Sequence, residues 1–211
     1  TISNSVTHRE VYKKQTGGRG KFADIQLKVE PCPEEAGLTF EWKVVGGVIP
    51  TEYSKFIERG IKNSMMNGTM AGFPITNVKV TILDGSTHTV DSDSYAFEIC
   101  GSIAFKEALR KAKVELLEPI MKLVVYSPSE YIGDISSDIS RRRGEVNGME
   151  TQNQLQVINA KVPLSNMFGY VTDLRSMSSG RASSTLEFSH YQTTPTDIAK
   201  DVVFKTKGIL I

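Results

Sequence analysis

The stretch PIMKLVV at residues 119–125 begins the pattern that decides the fold of the second half of the chain. It predicts a strand, and Ser127-Pro128-Ser129-Glu130 after it is a typical helix start. Apolar residues then recur at helical spacing, namely Tyr131, Ile132, Ile135 and Ile139. A strand-like run at 155–162, a helical pattern over 163–176 and a last strand-like run at 186–191 follow. The order β-α-β-β-α-β is the split βαβ, ferredoxin-like pattern.

The residues before this pattern predict another unit of mixed strands and helices. Apolar and polar residues alternate in DIQLKVE at 24–30 and again around Val80, which predicts strands within 22–45 and 74–90. Asp84-Gly85 has the composition of a tight turn. Helices are predicted after Pro50 and over 94–112. We therefore predict an α+β protein with two domains, 1–117 and 118–211, the second including a short terminal helix from Pro195.

Composition excludes several classes of protein. The 211 residues carry 25 Lys+Arg against 24 Asp+Glu, so a uniformly basic nucleic-acid coat is excluded. No apolar run approaches the ~18–20 residues that a membrane span needs. Cys32 and Cys100 form no disulfide framework and match no metal-ligand spacing, which favours a reducing, cytoplasmic setting. The chain begins with Thr1 and shows no signal peptide, so we expect a piece of a longer protein.

A glycine-rich segment at residues 15–21, QTGGRGK, invites a comparison with phosphate-binding loops. A P-loop requires glycine and a hydroxyl residue at the positions of Gln15 and Phe22, and a dinucleotide fingerprint must open a helix rather than run into a strand. Neither motif fits. From Arg9 to Lys21, five basic side chains face one acidic residue, a local charge of +4. Two interpretations stay open for this loop, namely contact with nucleic-acid phosphates or a solvated hairpin.

Three other features allow the same two interpretations. His88 is predicted near a loop end, where it is either a donor to phosphate or ribose groups or an ordinary exposed histidine. The arginines at 141–143 either compensate a helix dipole or contact RNA. The segment 176–181, SMSSGR, is either a polar turn or a close-approach surface for a phosphate backbone. No catalytic group and no metal-ligand set emerges from the sequence.

A series of short motifs runs through the whole chain in a fixed order. It comprises HRE at 8–10, QTGGRG at 15–20, GGVIP at 46–50, AGFP at 71–74, FKEA at 105–108, LEPIMK at 117–122, GD at 133–134, RRRG at 141–144, VPL at 162–164, MFGY at 167–170, LRS at 174–176 and GRA at 180–182. This series resembles the C-terminal part of bacterial elongation factor G, a translational GTPase. The likeness extends from about residue 5 to about residue 203 and corresponds to domains four and five of that family.

The resemblance implies a first domain with the fold of the second domain of ribosomal protein S5. Its far end would form a tip that enters the small-subunit decoding site and contacts tRNA and mRNA. The implied tip residues are Gln15, Thr16, Gly17, Gly18, Arg19, Gly20, Lys21 and His88. Thr87 stands where the family commonly has tyrosine, so an aromatic surface is lost beside His88. Ala23 stands where glycine is common.

For the second domain the resemblance implies contact with the sarcin–ricin loop of large-subunit RNA through Arg175, Ser176, Ser179 and Arg181. The family's GTP and magnesium belong to an N-terminal domain outside this sequence, so no cofactor, no metal site and no GTPase activity is expected here. A monomer that promotes tRNA–mRNA translocation is the implied function. The alternatives are a paralogue acting in ribosome recycling or ribosome protection, a stand-alone RNA-binding module and a purely structural domain.

Overall fold

The computed structural model describes residues 1–15, 20–34 and 36–208. The chain divides into two compact units, Leu117–Thr194 and a first unit made of Thr1–Leu116 with the segment that begins at Pro195. The strands are β1 Val6–Lys14, β2 Lys21–Pro31, β3 Leu38–Trp42, β4 Val78–Ser86, β5 Leu117–Ser127, β6 Glu145–Gln152, β7 Leu155–Pro163 and β8 Ser183–Thr193. The α-helices are α1 Ser54–Met65, α2 Ser94–Lys111, α3 Ile132–Arg141, α4 Tyr170–Met177 and α5 Thr196–Lys207.

The first unit is a four-stranded sheet in the order β1-β2-β4-β3, in which β3 runs parallel to β4 and the other pairs are antiparallel. Its central strand β2 alternates as predicted, because Ala23, Ile25, Leu27 and Val29 are buried in one core. Helices α1 and α2 pack on that face. Their contact is close at Gly60, where an added Cβ would collide with a backbone carbonyl of α2.

The second unit is an antiparallel sheet in the order β6-β7-β5-β8, with α3 and α4 supplying its helical layer. Leu123 and Val125 of β5 pack with Ile135 and Ile139 of α3 in a separate core. The element order is β-α-β-β-α-β, so the α+β class and the ferredoxin-like order are confirmed.

Helix α3 ends in a left-handed turn that the arginines at 141–143 enter directly. Arg143 has φ +63°, its amide donates to the Ser140 carbonyl, and the Gly144 amide donates to the Ile139 carbonyl. This pair of bonds is a Schellman motif. The glycine is required for packing rather than for φ, because an added Cβ at Gly144 would lie 2.5 Å from Val162 Cγ1.

The apolar stripe predicted over 163–176 is partly wrong. Leu164–Asn166 is a short 3-10 turn, and α4 starts only at Tyr170, after Gly169 with φ +78°. Phe168 is therefore outside the helix and 81% exposed. The core is filled by Met167 and Leu174 of the predicted stripe, together with Tyr170. The left-handed glycine shifts the helical phase, which spacing alone cannot show.

Two other predictions differ from the structure. The predicted second domain, 118–211, includes the terminal helix, whereas α5 groups with the first unit. This grouping, in which Lys207 donates to the Thr69 carbonyl at 2.7 Å, agrees with the return of that helix towards the first domain that the family resemblance implies. Asp84-Gly85 is not a tight turn, because both residues belong to β4 and Gly85 pairs with Ile25. An added Cβ at Gly85 would collide with the Asp24 carbonyl, so glycine serves close strand approach there.

Burial makes Cys100 unsuited to a site that needs a reactive thiol. Cys100 is buried, and burial raises its pKa to about 12, so its thiol stays protonated. No helix among the described residues is long and apolar enough to cross a membrane.

Candidate nucleic-acid interface

The glycine-rich segment lies between β1 and β2 in the sequence, and Lys14 at the end of β1 pairs with Lys21 at the start of β2. Thr16, Gly17, Gly18 and Arg19 were predicted as tip residues and lie outside the described residues. Gln15 follows β1 and is exposed, Gly20 is buried, and Lys21 begins β2.

His88 lies in the connection between β4 and α2, residues 87–93, which we call the His88 loop. The backbone amides of Val90 and Asp91 point at His88 Nδ1 from 3.4 and 3.3 Å, and Asp91 Oδ2 is also 3.3 Å away. An Nδ1 that accepts from these amides leaves the ring hydrogen on Nε2, which hydrogen-bonds to no described residue. The side chain is 54% exposed, so His88 keeps a donor available to a partner.

The structure brings the His88 loop onto the start of β2. The Phe22 amide donates to the Asp91 carbonyl at 2.8 Å. The Ser92 hydroxyl donates to the Phe22 carbonyl at 2.8 Å and accepts from the His88 amide at 2.9 Å. Gly20 leaves room for this approach, because an added Cβ would lie 3.1 Å from the Asp91 carboxyl group. We call residues 13–22, which include the glycine-rich segment, and the His88 loop together the tip.

Sequence analysis missed Ser92 as part of this arrangement. Its only sequence signal was its place beside Asp93, which caps α2 by accepting from the Ala96 amide at 2.8 Å. A hydroxyl that joins residues 70 positions apart leaves no local pattern in a sequence.

A third segment supports the His88 loop from the side. Ile49, in the connection before α1, is 1% exposed and inserts beside Gly85, where an added Cβ would lie 2.5 Å from its Cδ1. The Thr87 hydroxyl approaches the Val48 carbonyl at 3.5 Å. The motif GGVIP thus places one buried isoleucine beside Gly85, near the end of β4.

The fold uses part of the basic charge that the sequence places near the tip. Arg9 donates to both Asp24 carboxylate oxygens, at 2.9 and 2.6 Å, and lies 3.4 Å from Asp84. Lys21 pairs with Asp93. Burial would raise the pKa of Asp24, but hydrogen bonds from Arg9 and from a serine outweigh it and the pKa is lowered.

Two lysines of β1 keep their charge available. Lys13 lies over the Phe22 ring at 5.6 Å, and neither Lys13 nor Lys14 has an acidic partner among the described residues. Both side chains are exposed. Acids from distant segments therefore lower the local charge of +4 that the sequence predicts. Among the described residues, the cations left there without an acidic partner are Lys13 and Lys14.

In the second unit, the predicted RNA-contact residues lie in the last turn of α4 and in the turn that follows the helix. Arg175, Ser176, Ser179 and Arg181 are all exposed there. Ser179 and Gly180 have φ of +50° and +76°, and the Gly180 amide donates to the Arg175 carbonyl at 2.8 Å. We call residues 175–181 the serine turn.

The serine turn is held by a buried residue that sequence analysis did not select. The Ser178 hydroxyl donates to the Leu174 carbonyl at 2.6 Å and accepts from the Ala182 amide at 3.1 Å. Arg181 pairs with Glu130 and the Tyr131 hydroxyl, so its charge is partly used within the unit. Arg175 has no acidic partner in the described part of the chain.

The arginines at 141–143, which we call the arginine run, all form ion pairs within the second unit. Asp138, only 3% exposed, accepts from Arg141 and, at 2.7 Å, from Arg142. Arg142 also pairs with Asp173, and Arg143 binds Glu118 in a bidentate pair. These bonds favour the structural interpretation of the run over an RNA contact.

The electrostatics of this cluster follow from its burial. Burial would raise the pKa of Asp138, but the hydrogen bonds from Arg142 and Arg141 outweigh it and the pKa is lowered. The Arg142 guanidinium lies 5.2 Å from the centre of the Tyr170 ring, and burial raises the pKa of Tyr170 to about 12.

The described residues contain no group of three or more His, Cys, Asp or Glu side chains that could hold a metal ion. What the tip and the serine turn offer is hydrogen-bond donors, hydroxyls, glycines and unpaired cations, which suit a phosphate backbone.

Comparison with known proteins agrees with this arrangement over the whole chain. The family described as "Elongation factor G, domain IV" matches residues 1–113, and "Elongation factor G C-terminus" matches residues 115–202. Elongation factor G of Cytophaga hutchinsonii is 49% identical over 212 residues, which cover 100% of this chain and 30% of that protein. The Thermotoga maritima protein of the same name is 52% identical over 205 residues, 96% of this chain and 30% of its own length.

A crystal structure of a protein from Thermus thermophilus superposes with a TM-score of 0.92 at 41% identity, over 99% of this chain and 31% of that one. The chain thus spans less than a third of the length of these relatives. Because both family matches together extend from residue 1 to residue 202, the chain belongs to the elongation factor G family and corresponds to its domain IV and C-terminal region.

Proposed function

We propose that this chain is the C-terminal part of a translational GTPase that promotes tRNA–mRNA translocation on the ribosome. In this function the tip enters the small-subunit decoding site and contacts tRNA and mRNA, and the serine turn contacts the sarcin–ricin loop of large-subunit RNA. The observation that carries the proposal is the Nε2 of His88, which no described residue binds, on a half-exposed side chain whose loop is held against the start of β2.

The chemistry of the tip supports contact with RNA rather than with a small molecule. His88 offers one oriented donor, and Lys13 and Lys14 offer cations that no described acid neutralises. Such groups bind ribose and phosphate without reading sequence, which is what a factor needs when it meets every codon in turn.

The serine turn supports the second contact. Its two left-handed residues bring backbone and small side chains to the surface, so a phosphate backbone can approach closely. Arg175 supplies a cation without an acidic partner among the described residues, whereas Arg181 would have to exchange its bonds to Glu130 and Tyr131.

GTP binding and magnesium belong, in this proposal, to another part of the full-length protein. The chain then contributes no catalytic group and acts as a monomer in the cytoplasm, holding tRNA in its new position while hydrolysis elsewhere supplies direction. Measurable ribosome-dependent GTP hydrolysis by the 211-residue chain alone would contradict this division of labour.

The experiment that tests the proposal compares His88→Ala with wild type in the full-length protein. We expect single-round translocation to slow by about tenfold, because a positioned hydrogen-bonding group is lost from the contact. His190→Ala is the matched control, since His190 lies in β8 of the second unit and should leave the rate unchanged.

Two outcomes would redirect the assignment. A His88→Ala protein that translocates at the wild-type rate would remove the tip from the function. A wild-type protein that separates ribosomal subunits but does not translocate would identify a recycling paralogue.

A further inference from the structure

We propose that Ser92 is a positioning residue, whose hydroxyl ties the His88 loop to β2 and so sets where His88 points. The inference rests on the proposed function, because it assumes that His88 makes the decoding-site contact. It concerns a residue that touches neither RNA nor any other partner in that proposal.

The hydroxyl of Ser92 uses both of its hydrogen-bonding capacities at this place. It accepts from the backbone amide of His88 at 2.9 Å and donates to the backbone carbonyl of Phe22 at 2.8 Å. The two groups it joins belong to the two parts of the tip. Among the described residues, no other side chain bonds to both.

The other contacts of the loop do not replace this bond. The Ser92 amide donates to the His88 carbonyl at 3.2 Å, which closes the loop on itself but not onto the sheet. The Phe22 amide binds Asp91, three residues away from His88, at 2.8 Å. The Phe22 and His88 rings are tilted with centroids 6.2 Å apart, a loose contact. The backbone of His88 itself therefore reaches β2 through Ser92.

The chemistry predicts which substitutions preserve the tie. Alanine at position 92 removes a donor and an acceptor together, and leaves the Phe22 carbonyl and the His88 amide to water. Threonine keeps the hydroxyl. Ser94, two residues further on at the start of α2, bonds through its side chain to no described residue and provides the control.

The first measurement is hydrogen exchange followed by mass spectrometry on the full-length protein without ribosomes. In Ser92→Ala, peptides that contain the His88 amide should exchange about tenfold faster, since one net hydrogen bond corresponds to about that factor in an opening equilibrium. Ser92→Thr and Ser94→Ala should exchange like wild type. Unchanged exchange in Ser92→Ala would overturn the inference, whatever the function of the protein.

The second measurement is single-round translocation with the same variants and with the double variant His88→Ala/Ser92→Ala. Ser92→Ala should slow the step about fivefold at unchanged half-saturating factor concentration, and Ser92→Thr should restore it. The double variant should be no slower than His88→Ala, because Ser92 acts only through that residue. Additive losses, or failure of threonine to restore the rate, would contradict the positioning role.

These outcomes separate the two proposals. If His88→Ala leaves translocation unchanged, the proposed function fails, and the exchange experiment still decides whether Ser92 holds the loop. If His88→Ala is slow and Ser92→Ala is fast, only the inference about Ser92 fails.

Discussion

The arginine run of the second unit and the tip of the first unit are the two regions where the sequence concentrates basic residues. In the arginine run, Asp138, Asp173 and Glu118 take up all three guanidinium groups. At the tip, Lys13 and Lys14 keep their charge, and His88 keeps an Nε2 that no described residue binds. The arginine run is thus the denser cluster of basic residues, but all three of its guanidinium groups already have an acidic partner.

The comparison shows that a charged interface is identified by cations without an acidic partner, and not by the number of basic residues in a segment. A buried acid such as Asp138 draws arginines inward, because a carboxylate with 3% exposure is costly unless it is paired. Near the two lysines the buried acid of the described sheet is Asp24, and it is paired with Arg9.

Asp138→Asn should destabilise the second unit by about 3 kcal/mol, because it leaves the largely buried Arg142 with only the exposed Asp173 as a charge partner. Urea unfolding followed by circular dichroism measures the change. Asp134→Asn is the matched control on the same helix, exposed and without an ion pair among the described residues, and should alter stability by less than about 0.5 kcal/mol. Equal effects of the two substitutions would show that the arginine run is not committed to the fold.

Wild type and Asp138→Asn should also differ in how their stability depends on pH. The folded-state pKa of Asp138 is lowered, so its stabilising contribution is complete above the unfolded value near ~4 and is lost as pH falls through the lowered pKa. The stability difference between wild type and Asp138→Asn should therefore be constant at neutral pH and shrink below about pH 4.

Gly85→Ala should destabilise the first unit by about 2 kcal/mol, because the added Cβ collides with the Asp24 backbone and crowds Ile49. Gly148→Ala in β6 is the control, since nothing lies within 4 Å of the added atom there. Thermal unfolding of both variants gives the comparison. A neutral Gly85→Ala would mean that the end of β4 is not packed closely, and the support of the His88 loop by Ile49 would be lost with it.

Lys14→Ala should weaken ribosome binding and reduce the slope of log affinity against log salt by roughly 0.7–0.9, the value for one phosphate contact. Arg143→Ala should leave the slope unchanged, since Glu118 already holds that guanidinium. Sedimentation of the full-length protein with ribosomes at several salt concentrations measures both. A change of slope in Arg143→Ala alone would reverse the contrast between the two regions.

Much of the fold could be predicted because burial imposes a period on the sequence. The alternation in β2 and the helical spacing in α3 both follow from one buried face. Strand β6 was required by the β-α-β-β-α-β order but could not be located, because only Val146 and Gly148 in it are even half-buried. In α4 the left-handed Gly169 shifts the phase, which periodicity cannot detect.

The candidate site was less predictable for a related reason. The family resemblance supplied the residue names. The ion pairs at and beside the tip, however, join positions far apart in the chain, such as Arg9 with Asp84 and Lys21 with Asp93. A local count of charge cannot include such partners. The role of Ser92 likewise depends on two backbone groups whose proximity only the fold creates.

The return of α5 to the first unit has a consequence for how the chain is made. The second unit, Leu117–Thr194, is continuous in sequence, whereas the first is interrupted by it and completed by residues such as Ala199 and Val203 that are buried in α5. During synthesis from the N-terminus, all of Leu117–Thr194 is therefore available to fold before the first unit has its last helix. Of these two units, the one that starts first in the sequence is completed second, so the His88 loop is made well before α5 joins its unit.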